Sequence, residues 1–186
     1  MGTGRRRNDT EKTRYRVVTE RSALVIEARS NVGPITFGTT SIEGYVDAAL
    51  DETSGDAGAS PAALLSVELS TLRSGNRLYD AELLHRVDAR RHPSTSVELR
   101  DANRIGRSDR YEVSGALTFH GITRAITGTV ALSVPGAGKL LVTGEHVFDM
   151  RDFDLVAPSV LMLRIYPDVR VQLHLDAERV DEAEEG

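Results

Sequence analysis

The sequence predicts an all-β fold, a sandwich or up-and-down barrel with a single helix. Three observations carry this prediction. Residues 110–134 alternate with a period of two on either side of His120-Gly121, so they form two long antiparallel strands joined by a tight turn. The same alternation recurs at regular spacing along the chain. Only one segment, residues 78–90, has the period of a helix, so helices do not alternate with strands as a parallel sheet would require.

Taken in order, residues 1–13 are polar and expected to be a disordered N-terminal segment, and residues 15–19 read as a first strand. Residues 22–29 follow, with Leu24, Ile26 and Ala28 on one face. Asn31-Val32-Gly33-Pro34 is a turn signal, and residues 35–37 read as a short edge or bend. Residues 41–50 alternate Ile42, Gly44, Val46, Ala48 and Leu50, and residues 51–61 have loop composition. Residues 63–70 place Leu65, Val67 and Leu69 inward. In residues 78–90, Leu83, Leu84 and Val87 form an apolar stripe that His92-Pro93 ends.

Residues 96–102 supply Val97 and Leu99. In the central hairpin Val113, Gly115, Leu117 and Phe119 share a face, as do Ile122, Ile126, Gly128, Val130, Leu132 and Val134. At its tip Gly121 provides the positive φ that a tight reversal needs. Residues 139–147 alternate again, and residues 168–178 end the domain with Val169, Val171, Leu173, Leu175 and Ala177 on one side. Residues 14–178 therefore form one domain, followed by an acidic flexible tail at 179–186.

Composition narrows the function. A formal net charge of -5 argues against general binding of nucleic acid, and the absence of cysteine excludes disulfides and thiolate chemistry. No apolar run reaches the roughly 20 residues of a membrane-spanning helix, so no membrane insertion is expected. Arg5-Arg6-Arg7 leads into polar residues and not an apolar segment, which predicts a cytoplasmic protein without a signal peptide.

Gly44, Gly115, Gly128 and Gly144 all fall on the apolar face. Singly, each fits a bulge or bend; together they point to an elongated space inside a closed sheet. On that reading Gly115→Leu and Gly128→Leu should both fold and fill the space.

Four blocks resemble the YceI-like family. Tyr15-x-Val17 with Ser22-x-Leu24 is similar to its first hairpin. Leu72-Arg73-Ser74-Gly75-Asn76, then Asp80-x-x-Leu83 and Pro93, resembles its strand end, short helix and turn. Gly115-x-Leu117-Thr118-x-x-Gly121-Ile122-Thr123-Arg124 is the most specific block, and Arg151-x-Phe153 resembles a loop between the last strands. The resemblance implies an extended antiparallel lipocalin-like β-barrel of about eight strands with one short helix. It also implies a lumen that holds an amphiphilic small molecule such as a polyprenyl or quinone lipid, with no cofactor and no reaction. Three positions depart from the family pattern, so the relatives' head-group preference is not carried over. Arg21 stands where histidine is usual, residues 28–35 replace a Val-x-His, and Asp154 stands where glycine is expected.

The expected lumen lining is Leu24, Ile26, Phe37, Val113, Gly115 and Leu117, together with Phe119, Gly128, Val130, Leu132, Val171 and Leu173. The same parity would serve if these side chains simply packed together. Arg73, Arg124 and Arg151 are the expected rim, where a head group would sit. Two other readings are an enzyme using Asp and His at the barrel mouth and a ligand-free interaction module. An exposed strand edge would allow the module to form a homodimer.

For the enzyme reading, Asp80, His85 and Asp88 fall on the helix, where a solvated face explains them as well. His85, His92, His120, His146 and His174 lack the close spacing of a zinc site. Asp149, Asp152 and Asp154 miss the ligand pattern of a calcium loop.

Overall fold

The computed structural model describes residues 12–51, 56–57, 61–157, 159–160 and 162–180. Most of the expected N-terminal segment and of the acidic tail lie outside the described residues. So do residues 52–55 and 58–60 of the expected loop.

Ten strands and one helix build the wall. They are β1 (Thr13–Val17), β2 (Ala23–Ser30), β3 (Gly33–Thr39), β4 (Ile42–Ala48), β5 (Ala62–Glu68), α1 (Arg77–Arg86) and β6 (Ser94–Arg104). Then come β7 (Arg110–Phe119), β8 (Ile122–Gly136), β9 (Lys139–Asp149) and β10 (Leu163–Arg179). Two short ladders, Leu50–Asp51 with Asp56–Ala57 and Ser159–Val160 with the start of β10, are additions to it.

All the pairings are antiparallel and the wall closes on itself. β4, β5, β6, β7, β8, β9 and β10 follow in order, and β1 joins β4 to β10 through Tyr15↔Val46 and Val17↔Ala177. β2 takes over from β1 along the same edge of β10, through Leu24↔Leu173 and Ile26↔Val171. β3 pairs with β2 and runs on into β4 with only Thr40 and Ser41 between. β1–β2 and β3–β4 are thus two interrupted rails, and the barrel has eight.

Residues 33–39, of which 35–37 read as a short edge or bend and Gly33-Pro34 as part of a turn, form a full strand because Gly33 turns the chain with φ +123° and the rest then pairs residue for residue with β2. The helix is shorter than its apolar period predicts. Asn76 caps it, its Oδ1 accepting from the Leu78 amide at 2.9 Å, and Asp88 at φ 46° ends it before Pro93. At the hairpin tip His120 and Gly121 have φ of 51° and 73°, so both central residues adopt the left-handed conformation of a type I′ turn.

The interior has two packed ends. The lower cluster gathers Tyr15, Val46, Tyr111, Leu132, Leu140 and Leu175. The upper cluster is formed by Ile35, Phe37, Leu69, Leu72 and Val87, with Leu83, Leu84, Phe119 and Leu155 against it. The helix stripe is therefore a plug across one end.

Two of the four inward glycines do not open space. A Cβ on Gly115 would lie 2.0 Å from the Glu98 carbonyl oxygen, and one on Gly44 2.0 Å from that of Leu64. Both let strands approach closely, β7 against β6 where the register shifts between Leu99 and Asp101, and β4 against β5. Gly128 differs: the nearest atom to a Cβ there is the His146 Nδ1 at 3.5 Å, ordinary contact. Gly115→Ala should therefore lower unfolding stability by on the order of 2 kcal/mol or more, and Gly128→Ala should be near neutral. Urea denaturation of the two variants checks this, and equal losses would refute the distinction.

Candidate functional site

Between the two clusters lies a cavity of about 330 Å³. Its wall is built from the inward faces of the strands, from Leu83 and Val87 beneath the helix, and from Met150, Phe153 and Leu155. Phe153 is 2% exposed and meets the Phe119 ring edge-on at 5.5 Å, which draws the loop after β9 over the upper end. The Phe153 carbonyl also accepts from the His120 Nδ1–H at 2.9 Å.

Ten of the twelve expected lumen residues border this cavity. Leu24, Ile26, Phe37, Val113 and Leu117 do, as do Phe119, Gly128, Val130, Val171 and Leu173. Two do not. Gly115 is shut against the β6 backbone, and Leu132 lies in the lower cluster, where Tyr111, Leu140 and Leu175 fill the barrel. Sequence reasoning missed the loop residues Met150 and Leu155, and it missed His146 and Phe148. These last two extend the inward alternation of Leu140, Val142 and Gly144 by two more steps, so the signal for them was present.

None of the three expected rim arginines borders the cavity. Arg73 ties β3 to the chain after β5: its backbone exchanges two hydrogen bonds with Gly38, of 2.8 and 3.0 Å. Its guanidinium donates to the carbonyls of Ser70 and Leu72. Arg124 donates from Nε to the Asp152 carbonyl at 2.8 Å. Arg151 grips Asp149, with Nε 2.9 Å from Oδ1 and 3.0 Å from Oδ2.

The other departures from the family pattern have local explanations. Asp154 adopts φ 55°, the left-handed region that suits glycine and that Asp tolerates better than most residues. Arg21 pairs outside the barrel with Asp176 and Glu178. Beside it Ser22, 1% exposed, donates to the Val18 carbonyl and accepts from the Asp176 amide. On the helix, Asp80 accepts from both the amide and the hydroxyl of Ser74, which holds its carboxyl below the usual range. Among the described residues no three His, Asp or Glu side chains come together to hold a metal ion. Nor is any helix long and apolar enough to cross a membrane.

A YceI-like domain profile matches residues 15–177. The chain belongs to the YceI-like family. Solved structures with the same fold include Burkholderia cenocepacia BcnA, at 17% identity and TM-score 0.74, covering 86% of this chain and 98% of that one. A polyisoprenoid binding domain from Saccharophagus degradans, implicated in plant cell wall breakdown, aligns at 16% identity and TM-score 0.71, covering 89% and 98%. A Campylobacter jejuni YceI protein aligns at 13% and 0.64, covering 79% and 86%. No curated protein matches.

The Arg151 contacts have a measurable consequence. Its hydrogen bonds lower the Asp149 carboxyl from 3.8 to about 2. A depressed carboxylate pKa stabilises the loop above the ordinary value, and that contribution disappears as pH falls through about 2. Titration followed by NMR should show Asp149 ionising well below 3.8, and Arg151→Ala, which removes the guanidinium but keeps the backbone amide, should raise it. An ordinary value in the unsubstituted protein would mean that the pair is open in solution.

Proposed function

We propose that this barrel binds an amphiphilic lipid with a long apolar chain, of isoprenoid type, and carries or sequesters it without chemical change. The observation that carries the reading is the cavity of about 330 Å³, walled by Leu, Val, Ile and Phe side chains between two packed ends. A hydrocarbon tail removed from water gains about 0.8 kcal/mol per methylene, so such a wall can hold a chain tightly without directional contacts. The fold shared with the polyisoprenoid binding domain of Saccharophagus degradans supports the same ligand class.

Binding is favoured over catalysis by how the titratable groups are placed. Among the described residues Glu145 and His146 are the titratable ones on the cavity border, and they are neighbours in one strand. Successive side chains of a strand point to opposite faces, so the two cannot converge on one reacting atom.

Native mass spectrometry of freshly purified protein, with solvent extraction and mass analysis of the extract, should show an isoprenoid mass at one per barrel. Gly128→Leu, which projects a side chain into the cavity beside His146, should stay folded and lose uptake of quinones and polyprenyl lipids. Unchanged uptake by Gly128→Leu, or an apo mass that persists after incubation with both lipid classes, would overturn the proposal.

A further inference from the structure

The ladder between β8 and β9 is incomplete. It runs from Gly136↔Lys139 to Val130↔Gly144 and stops there. Beyond it, residues 122–129 of β8 pair only with β7, and residues 145–149 of β9 pair only with β10. The two strands part, and above the gap the segment after β9 returns to the hairpin, where Arg124 bonds the Asp152 carbonyl and His120 that of Phe153. Residues 126–129 border the cavity consecutively from one side of this slit, and residues 144–146 from the other. Edge backbone as well as inward side chains therefore faces the cavity. Among the described residues the wall lacks a ladder here and along the outer edge of β3, which is bridged onward only at Gly38↔Arg73; the slit is where consecutive residues from both sides border the cavity.

His146 stands in this slit. It shares the inward parity of Gly144, lies beside Gly128, and its ring is tilted against Phe148 at a centroid distance of 4.4 Å. Neither of its ring nitrogens has a hydrogen-bond partner among the described residues. Among the described residues no arginine or lysine borders the cavity, and the one charged residue that does, Glu145, has its carboxylate bonded to Gln172 at 2.8 Å and paired with Arg170 at 3.6 Å. At the cavity border a phosphate would meet no arginine or lysine among the described residues. A hydroxyl or ketone would meet an imidazole able to donate or accept.

We infer that the chain enters and leaves sideways, between β8 and β9, and that its head is an uncharged hydrogen-bonding group, a hydroxyl or ketone, held in the slit by His146. This rests on the binding function proposed above.

The test compares three probes with the same branched C20 carbon skeleton: phytane (its saturated hydrocarbon), geranylgeraniol and geranylgeranyl diphosphate. Each competes with a pyrene-tailed fluorescent lipid for the full-length protein and for His146→Phe and His146→Gln. The alcohol should bind most tightly. His146→Phe should weaken it about tenfold, the scale of one buried hydrogen bond, and leave phytane within about twofold. His146→Gln should recover part of the loss. Hydrogen–deuterium exchange should show geranylgeraniol protecting peptides over 124–129 and 144–149 more than those of α1. Tighter binding of the diphosphate, an equal effect of His146→Phe on alcohol and phytane, or protection confined to α1 would overturn the inference while leaving a chain-binding barrel. Failure of the unsubstituted protein to bind either phytane or the alcohol would remove the binding function as well.

Discussion

One edge of β10 serves two partners, and the rest of the barrel depends on how that edge is divided. Residues 177–179 pair with β1, and residues 165–174 pair with β2. At the junction the chain makes one turn of 3-10 helix, Thr19–Arg21, so two backbone strands cannot satisfy every polar group there. Ser22 supplies what is missing: its buried hydroxyl takes the Asp176 amide and donates to the Val18 carbonyl. A buried amide left without a partner would be costly, which makes a small hydroxyl side chain the natural solution. Below the junction β1 closes a ring narrow enough for Tyr111, Leu140 and Leu175 to fill. Above it the β2–β3 hairpin forms the wall, and the interior is not filled.

The same division explains why the ends differ. Among the described residues the lower end closes by packing of strand side chains, whereas the upper end has α1 and the Phe153 loop laid across it. The helix contributes little by its own propensity. Its value lies in Leu83 and Val87, which bury against the upper cluster while Leu78, 79% exposed, stays in water. A plug made from a separate element, rather than from strand residues, leaves the cavity length independent of strand length.

Much of this was legible in the sequence because a strand's parity is rigid. Once the 110–134 hairpin was placed, each alternating residue had only two possible directions, and Val113, Leu117, Phe119, Gly128 and Val130 followed. What parity could not give is depth along the barrel axis. Leu132 has the same direction as Val130 yet lies among packed side chains, because Tyr111 on the neighbouring strand marks where the filled end begins. Nor could parity distinguish glycines. Gly115 and Gly128 are alike in sequence pattern, and only the spacing between neighbouring strands makes one a close-approach site and the other open. The arginines show a third limit: the partners of Arg73 and Arg151 are carbonyls and a carboxylate a few residues away, set by loop geometry that no alternation encodes.

The parted strands have a consequence for life in a crowded solution. A run of strand edge without a ladder partner is a template onto which another chain can add. Here the outward positions beside it are Thr123, Ala125, Thr127 and Thr129 on one strand, and on the other Glu145, with its Gln172 and Arg170 contacts, and the half-exposed Val147. Hydroxyls and a tethered charge flank the two apolar side chains, so this edge offers a foreign strand only a broken apolar face. The bonds made by Arg124 and His120 also stop the gap from running out to the barrel rim, so an incoming segment would have to bend into a window closed at both ends. On the proposed lateral route, such a window suits a flexible small molecule better than a neighbouring polypeptide.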